Sequence, residues 1–354
     1  MYSIMRPWVP KTKPNVAIVG EAAGAQEQIA GFPFVGSSGQ ELMEMLKLAG
    51  HNPKHCYFTN VFMDNRPPNN NIETFFCKKL QAQQALGSTY PYGPYKIGKY
   101  LHPDYFYELD RLYEELKQLD CNLIVTVGAT STWAITGTSK ISQVRGSITY
   151  NNQINKKILP TYHPAAVMRQ WKLRYITISD FIKARREMQS PELFLPERQV
   201  WINPTISDLK DFYQQHIAGS KLLAVDVENT QQFITHISFA PDPYNVLVIP
   251  FYDRTQEDGL YWQSHAEHKH AWAFVKSIME DKNLPKCGQN FMHDMQLLWF
   301  RHGIRTYNLE HDTMLQAHAI APEMPKNLGF LGSIYTNEQS WKQLSKVETG
   351  KRED

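Results

Sequence analysis

The sequence is poor in cysteine and carries no excess of charge of either sign. Its 354 residues include four cysteines and no CxxC pair, which argues against a disulfide framework and a zinc knuckle. The 37 lysines and arginines nearly balance the 35 aspartates and glutamates, so the net charge of +2 creates no strong overall field for nucleic acid or membrane. Any nucleic-acid site must therefore be a local patch.

Long apolar runs are also missing. No stretch approaches the length of a membrane span, and the N-terminus, MYSIMRPWVPK, has no signal-peptide core. These absences predict a protein with no membrane partner that is cytoplasmic, in the host cytoplasm if its source is viral. With 42% hydrophobic residues the chain can form ordinary globular cores, and its length suggests about two domains.

The first half of the chain alternates short apolar runs with helical patterns. Val16–Val19 is typical of a buried parallel strand, Cys56–Phe62 and Asn122–Gly128 predict two more, and a fourth ends at Tyr162. Such alternation predicts an α/β fold with an open parallel sheet, whose ligands bind beyond the carboxyl ends of the strands. Helices are predicted at Gln40–Ala49, Tyr105–Leu119 and ATSTWAI, and an irregular insertion at Ser88–Pro103.

A Gly-rich stretch, GEAAGAQEQIAGFPFVGSSGQ (Gly20–Gln40), follows the first strand. It matches neither the GxGxxG dinucleotide pattern nor the GK[ST] ending of a phosphate loop. Glu21 and Phe34 lie in it, whereas Asn60 and His163 lie near the ends of two other predicted strands. Taken alone, each could be an ordinary turn or core residue. Together, a carboxylate, an aromatic face, a carboxamide and an imidazole would suit a planar heterocycle with a polar edge.

The motifs around these residues resemble those of the family 4 uracil-DNA glycosylases. GEAAG and GFPFVGSSG resemble that family's GE-x-PG and GxPFVGxxG, with Ala23 in place of the proline. TNVFMDNRPP resembles TNVxxxRPP, and TYHPAAVMR resembles T[FY]HP followed by an arginine. VTVGATSTWAI and VRGS also match in order. The resemblance spans about residues 14–186 and implies a three-layer αβα glycosylase domain with a parallel sheet, which we assign to residues 1–186.

The resemblance implies a catalytic role for two residues and a base-reading role for two more. The target uracil, or a related pyrimidine, would be extruded from DNA into a pocket. Phe34 would stack on the base, and Asn60 would pair with its polar edge and reject cytosine. Glu21 would position or activate the attacking water, and His163 would hydrogen-bond the uracil oxygen as negative charge develops.

Four further residues are expected to contact the substrate. Gly20 would form part of the substrate-binding turn. Val167 and Met168 would enter the gap left by the extruded base, and Arg169 would bind phosphate.

The cysteines depart from the family pattern. Family members usually carry four cysteines for an iron–sulfur cluster, including a pair near the N-terminus, and no cysteine precedes Cys56 here. Cys77 and Cys121 do not reproduce the spacing either, so we predict no iron–sulfur cluster. The insertion from about Asn71 to Pro103 is the candidate to replace its structural role.

The composition changes after Arg186. A Pro-rich stretch predicts a linker at residues 187–205, followed by a second domain at residues 206–354. Three consecutive strand patterns, KLLAVDVE, FITHISFA and YNVLVIPFY, predict an antiparallel meander. Asp226 and Glu228 lie two apart on the first of these strands and therefore on one face, where two carboxylates repel each other unless a cation neutralises them. The alternative is a solvated edge strand.

This half resembles the 3′–5′ exonuclease domain of family A DNA polymerases. The pair Asp226 and Glu228 matches the first motif, Asn290 and Asp294 match the second, and Asp312 and the segment Lys326–Thr336 also match, over about residues 200–343. The resemblance implies a ribonuclease H-like mixed sheet. It also implies that the metal ligands for two Mg²⁺ or Mn²⁺ ions are Asp226, Glu228 and Asp294.

The third exonuclease motif, Tyr or His followed four residues later by Asp, is missing after Thr336, where the chain reads NEQSWKQLSKVETGKRED. The chain is therefore expected to be the front part of a longer, bacteriophage-type polymerase, or its exonuclease to be inactive alone. The function predicted is uracil excision joined to proofreading, with DNA and the remaining polymerase domains as partners. The alternatives are a catalytically silent module that scans DNA bases and a purely structural accessory.

Overall fold

The computed structural model describes residues 4–86, 92–230 and 233–338. The chain forms two compact units, Met1–Phe194 with Gly332–Asp354, and Leu195–Leu331. Residues 87–91 of the predicted insertion, and the segment after residue 338 in which the third exonuclease motif was sought, lie outside the described residues. None of the described helices is both long and apolar enough to cross a membrane.

Among its described residues, the first unit contains the strands β1 (Val16–Ala22), β2 (Cys56–Phe62), β3 (Phe76–Cys77), β4 (Tyr100–Leu101), β5 (Leu123–Val127), β6 (Thr149–Asn151) and β7 (Lys156–Thr161). Five of them form one sheet in the order β2-β1-β5-β7-β6. The first four are parallel and β6 pairs antiparallel with β7 at the edge. The predicted parallel sheet is confirmed.

Helices cover both faces of this sheet. Successive residues of β1 alternate between them: Ala17 and Val19 pack with α4 on one face, and Val16 and Ile18 pack with α2 on the other. The result is a three-layer αβα arrangement, as the sequence predicted. The helices before residue 195 are α1 (Ala25–Ala30), α2 (Ser37–Leu48), α3 (Lys79–Leu86), α4 (Phe106–Gln118), α5 (Ala129–Thr136), α6 (Ile141–Val144), α7 (Pro164–Arg169) and α8 (Leu173–Glu187).

The second unit is built on a mixed sheet. Its strands are β8 (Gln199–Trp201), β9 (Leu223–Asn229), β10 (Ile234–Ala240), β11 (Asn245–Pro250), β12 (Lys286–Gly288) and β13 (Leu309–Asp312). Their order is β13-β12-β9-β10-β11-β8. Strands β9, β10 and β11 form the predicted antiparallel meander, whereas β12 and β13 run parallel to β9. This mixed sheet has the ribonuclease H-like character that the sequence implied.

One strand of this sheet lies where the sequence predicted only a linker. Strand β8, within residues 187–205, pairs parallel with β11. The three residues of β8 lie between prolines and are too few to show the alternation of apolar and polar residues by which a strand is recognised in a sequence. The helices after residue 195 are α9 (Ile206–Phe212), which continues as a π-helical turn (Tyr213–Ile217), α10 (His265–Met279), α11 (Met292–His302), α12 (Thr313–Ile320) and α13 (Leu328–Tyr335).

Candidate active site

The carboxyl ends of β1 and β2 bring two of the predicted residues together. Gly20 and Asn60 are register partners on these parallel strands. A Cβ atom at Gly20 would lie 2.3 Å from Asn60 Oδ1 and 2.6 Å from Phe34 Cζ. Only glycine therefore allows the carboxamide and the aromatic ring to approach each other so closely.

Phe34 lies in an uncommon backbone conformation. Its φ angle is +59°, in the left-handed region that larger residues seldom adopt. The side chain is 8% exposed and packs edge-to-face on Phe58, with ring centroids 5.8 Å apart. A Cβ atom at Gly39, in the first turn of α2, would lie 2.0 Å from Phe34 O, so glycine is required there for the helix to support this conformation. Such strain is a recurrent feature of ligand-binding positions.

A buried carboxylate holds the Gly-rich stretch closed. Glu27 of α1 is 8% exposed and its Oε1 atom accepts a hydrogen bond from Gly36 N at 2.8 Å. A Cβ atom at Gly24 would lie 2.5 Å from Glu27 Oε2. The glycines at both ends of the stretch therefore surround a protein carboxylate, which explains why the stretch follows no phosphate-binding pattern.

Asn60 is positioned by α4. Its side chain is 3% exposed, and Arg111 Nη2 donates to Asn60 O at 2.7 Å and to Val61 O at 2.9 Å. Among the described residues, none hydrogen-bonds the Asn60 carboxamide, which faces a cavity. The loop after β2 is held by the fully buried carboxylate of Glu108, which accepts from the backbone N–H groups of Met63, Asp64 and Asn65.

Glu21 lies at the same edge of the sheet. Its half-buried carboxylate accepts a hydrogen bond from the Thr130 hydroxyl at the start of α5. Burial raises the pKa of Glu21, while the Thr130 hydrogen bond and the charges of Lys96 and Arg169 act in the opposite direction.

His163 has a defined tautomer. It caps the N-terminus of α7, where its Nδ1 atom accepts a hydrogen bond from Ala165 N at 3.1 Å. Burial lowers the pKa of His163 to about 4, so the ring is neutral at physiological pH, and the arrangement at Nδ1 leaves the proton on Nε2. Gly128, with a φ angle of +98°, lets β5 approach the ring, since a Cβ atom there would lie 3.0 Å from His163 Cβ.

These side chains converge on one cavity of about 680 Å³. The predicted site residues among those lining it are Glu21, Phe34, Asn60, His163 and Arg169. A carboxylate, an aromatic ring, a carboxamide, a neutral imidazole and a guanidinium therefore share a space large enough for one nucleoside.

The expectation that Val167 contacts the substrate is wrong. Its side chain is 0% exposed and belongs to the core on the α2 face of the sheet. The next residue, Met168, is 48% exposed, because successive residues of the short helix α7 point in different directions. Of these two residues, Met168 is therefore the one whose side chain is exposed.

The cysteines do not fit an iron–sulfur cluster. Cys56 is 1% exposed in the core, and burial raises the pKa of its thiol to about 12. The Cys121 thiol points at Leu123 O, at 3.7 Å. Within the described ranges, no three histidine, cysteine, aspartate or glutamate side chains are gathered as a metal site. Cys56 and Cys121 pack in the cores on opposite faces of the sheet, so their thiols do not face a common site.

In the second unit two carboxylates lie near each other. Asp226 is exposed on β9, because alternate residues of this strand face the core, and Asp294 in the first turn of α11 is 6% exposed. Burial and the charge of Asp226 raise the pKa of Asp294 to about 6. This mutual repulsion is what a divalent cation would relieve.

The expected three-ligand arrangement is not present, because no group of three such side chains is gathered within the described part of the chain. Glu228 lies on the same face as Asp226 but about 7 Å further along the strand. Asp312, which matched an exonuclease motif, binds backbone. Its carboxylate accepts hydrogen bonds from the N–H groups of Asn290, Phe291 and Met314 at 3.0, 2.8 and 2.9 Å.

Two known protein families match different parts of the chain. The profile of the uracil DNA glycosylase superfamily matches residues 7–95, and that of the 3′–5′ exonuclease family matches residues 202–352. The type-4 uracil-DNA glycosylase of Archaeoglobus fulgidus is 32% identical over 184 residues, which cover 50% of this chain and 78% of that protein. The chain belongs to the type-4 uracil-DNA glycosylase family. Its second half carries a 3′–5′ exonuclease domain.

Other relatives give the same result for the glycosylase domain. The type-4 enzyme of Thermotoga maritima is 30% identical over 179 residues, covering 48% of this chain and 76% of its own. For the exonuclease domain, solved structures are only distantly similar. Trypanosoma brucei RNase D in complex with RNA U12 has a TM-score of 0.25 at 15% identity, over 34% of this chain and 40% of that one. The exonuclease domain of EXD2 has a TM-score of 0.26 at 11% identity, over 35% and 59%.

Sequence reasoning missed two residues of the glycosylase site. Thr130 binds Glu21, and Glu27 closes the Gly-rich stretch. A signal for Thr130 was available, since it follows the predicted strand end at Gly128 in the motif VTVGATSTWAI. The role of Glu27 had no sequence signal, because an acidic residue in a short helix is ordinarily solvated.

Proposed function

We propose that the glycosylase domain excises uracil, or a related pyrimidine, from DNA by hydrolysing the N-glycosidic bond. The observation that carries this proposal is the convergence of Glu21, Phe34, Asn60 and His163 on one cavity. The names of the relatives agree with it, since each is a type-4 uracil-DNA glycosylase.

Base recognition depends on Phe34 and Asn60. The ring of Phe34 would stack on the extruded base. The carboxamide of Asn60 has both a donor and an acceptor and no protein partner among the described residues, so it can pair with the carbonyl and imide N–H of uracil. Cytosine presents the reverse donor pattern on this edge and would leave the buried Asn60 carboxamide mispaired, which costs binding.

The chemistry divides between Glu21 and His163. The bond between the sugar C1′ and the base nitrogen breaks, and its electron pair goes to the base. The Nε2–H of neutral His163 donates to the uracil oxygen, where negative charge develops. Glu21, as a carboxylate, orients the water that adds to C1′ and accepts its proton.

DNA contact is proposed for the residues that follow His163. Met168 is exposed and apolar, as a side chain that fills the gap left by an extruded base must be. Arg169 lines the cavity and would bind a backbone phosphate. A cytoplasmic location stays a prediction.

A duplex carrying one uracil in an end-labelled strand tests this proposal. After incubation and alkali treatment, we expect a strand break at the uracil. Glu21→Gln and Asn60→Ala should each lower the excision rate on the order of a hundredfold. Glu114→Ala, which changes an exposed residue of α4, is the control. DNA binding by the wild-type protein without any strand break would contradict the proposal and favour a silent base-scanning module.

For the second half we propose a proofreading-type exonuclease that joins further polymerase domains and uses Mg²⁺ or Mn²⁺. Asp226 and Asp294 would hold the ion, whose chemistry is to lower the pKa of the attacking water. Since no third carboxylate is gathered with them in the described residues, we expect weak or absent digestion of a labelled 3′ end with Mg²⁺. Robust digestion that Asp226→Ala abolishes would contradict this expectation.

A further inference from the structure

We propose that Tyr95 and Thr130 are positioning residues that act on the Glu21 carboxylate through a hydrogen-bond relay. The inference rests on the proposed function, because it gives Glu21 the role of the water-orienting carboxylate. Neither residue was singled out by the sequence, and Tyr95 comes from the insertion between β3 and β4.

The relay consists of three adjacent side chains. The Thr130 hydroxyl is buried between the Glu21 carboxylate and the Tyr95 hydroxyl, whose oxygen is 3.3 Å from Thr130 Oγ1. A hydroxyl has one proton to donate, and an ionised carboxylate can only accept. Thr130 therefore donates its one proton to Glu21, the nearer of the two acceptors, and the Tyr95 hydroxyl lies within hydrogen-bond distance of the same Thr130 oxygen. Hydrogen bonds linked in this way polarise and strengthen one another.

Tyr95 is held rigidly in place for this role. Its ring is 5% exposed, stacks on Phe76 with centroids 4.5 Å apart, and meets the edge of Trp133 at 5.7 Å. Trp133 Nε1 also donates to Gly93 O at 3.1 Å, and the Ser139 hydroxyl donates to Tyr95 O. The segment that carries Tyr95 is thus fixed to α5, the helix that carries Thr130.

The other hydroxyls of α5 show what a purely structural role looks like. Thr132 Oγ1 donates to Gly128 O and Thr136 Oγ1 to Thr132 O, each at 2.7 Å, the usual contact of threonine with the preceding helical turn. Thr130 instead binds a side chain that lines the cavity. Its hydroxyl is therefore directed at the site and not at the helix.

The relay opposes the effect of burial on Glu21. Burial raises the pKa of this carboxyl, and the hydrogen bond from Thr130 is the largest effect that lowers it. Among the described residues, the charged and titratable groups that face Glu21 or share its cavity are Lys96, Arg169, Tyr95, Tyr162, Glu27, Arg66 and His163. Lys96 is itself held by Glu73 at 2.8 Å. Removal of the Thr130 hydroxyl should leave these charges in place and raise the pKa of Glu21.

The test is the pH dependence of uracil excision. For Thr130→Val, we expect the rate of uracil excision to fall on the order of tenfold at about pH 5.5 and by less at about pH 8.5. The reason is that a hydrogen bond to the charged carboxylate is removed, so the acid limb of the pH–rate profile moves to higher pH. Tyr95→Phe should move the acid limb in the same direction but by less. Thr130→Ser, which keeps a hydroxyl at this position, should show the wild-type profile. The controls Thr136→Val and Tyr113→Phe remove hydroxyls that donate to helix carbonyls and do not contact Glu21, and they should leave the pH profile unchanged.

A second measurement separates this inference from the proposed function. An NMR titration of the Glu21 side-chain carboxyl carbon in the free protein reads the relay without any turnover. A higher titration midpoint of Glu21 in Thr130→Val and Tyr95→Phe supports the relay, whether or not the wild-type protein excises uracil. Absence of excision by the wild-type protein would contradict only the proposed function. Excision by the wild-type protein with an unchanged acid limb and Glu21 midpoint in both folded variants would overturn the relay.

Discussion

At the scale of single residues, the hydrogen bond at His163 Nδ1 decides what this ring can donate. Because Nδ1 accepts from Ala165 N, the neutral ring presents Nε2–H to the cavity. The pKa of about 4 keeps it neutral in any ordinary assay. We therefore expect ¹⁵N spectra to show the Nε2–H tautomer at pH 7, with a midpoint near 4. A midpoint near the unperturbed value of about 6.5 would contradict this role.

The lowered pKa of His163 also predicts how the stability of the protein changes with pH. The folded pKa of His163 lies below the unfolded value, so the unfolded chain binds more protons as the pH falls from about 6.5 to 4, and the free energy of unfolding decreases over that window by up to about 3 kcal/mol. His163→Asn keeps a side-chain oxygen that can cap α7 but cannot titrate. Over this pH window, the free energy of unfolding of His163→Asn should therefore decrease less than that of the wild-type protein.

Gly20 gives a second prediction at this scale. In Gly20→Ala, the new methyl group would meet Asn60 Oδ1 and the Phe34 ring, so both base-reading groups must move. We expect uracil excision to fall by about a hundredfold or more, because misplacement by about 1 Å has effects of that order. Gly329→Ala is the control, since its Cβ atom would meet Asn327 Oδ1 at an ordinary 3.5 Å. Wild-type excision by Gly20→Ala would show that the two groups need not approach so closely.

At the scale of elements, α4 supports the base-reading strand from the side. The Glu108 carboxylate accepts three backbone N–H groups from the loop that follows β2. Glu108→Ala would leave these donors unpaired, and we expect a loss of about 3 kcal/mol in the free energy of unfolding, measured with urea. Glu114→Ala is the matched control, because its ion pair with Lys117 is exposed and contributes little. Equal stability of the two variants would contradict this function of Glu108.

The elements that the sequence predicted well are those with a strong local pattern. Strand β2 was predicted at its observed limits, and the meander of β9, β10 and β11 followed from three apolar runs. Strands β8 and β12 were missed, because three residues cannot show a period. The polar residues of the site were found through their motifs. Thr130 and Glu27 were missed because each acts through a partner outside its own helix, Glu21 for Thr130 and Gly36 for Glu27, and these pairings follow only from the folded structure.

At the scale of the whole molecule, the first unit is discontinuous in sequence. It comprises residues up to Phe194 and again from Gly332. Within it, Arg145 of the VRGS motif donates to Ser333 Oγ at 2.8 Å, and Lys183 donates to Ser333 O at 3.0 Å. These contacts join residues far apart in the sequence, and the composition of the chain does not reveal them. The boundaries at residues 186 and 206 therefore stay a proposal.

The paired carboxylates of the exonuclease domain couple its stability to pH and to metal. The pKa of Asp294 is raised to about 6, so the folded protein binds more protons than the unfolded chain between about pH 4 and 6, and stability falls as the pH rises through that window. Above it, in EDTA, Asp294→Asn should be more stable than the wild-type protein by about 2 kcal/mol, since the variant buries no charge and carries none beside Asp226.

Urea unfolding followed by intrinsic fluorescence measures this difference, with Asp211→Asn, a partly exposed aspartate of α9, as the control. Added Mg²⁺ or Mn²⁺ should then stabilise the wild-type protein and narrow the difference, because a cation that binds only the folded state stabilises it by mass action. If Asp294→Asn is no more stable than the wild-type protein above pH 6 in EDTA, the charge of Asp294 is not destabilised by burial and by Asp226, and the prediction is wrong. A metal effect of equal size in both proteins would show that the ion binds elsewhere.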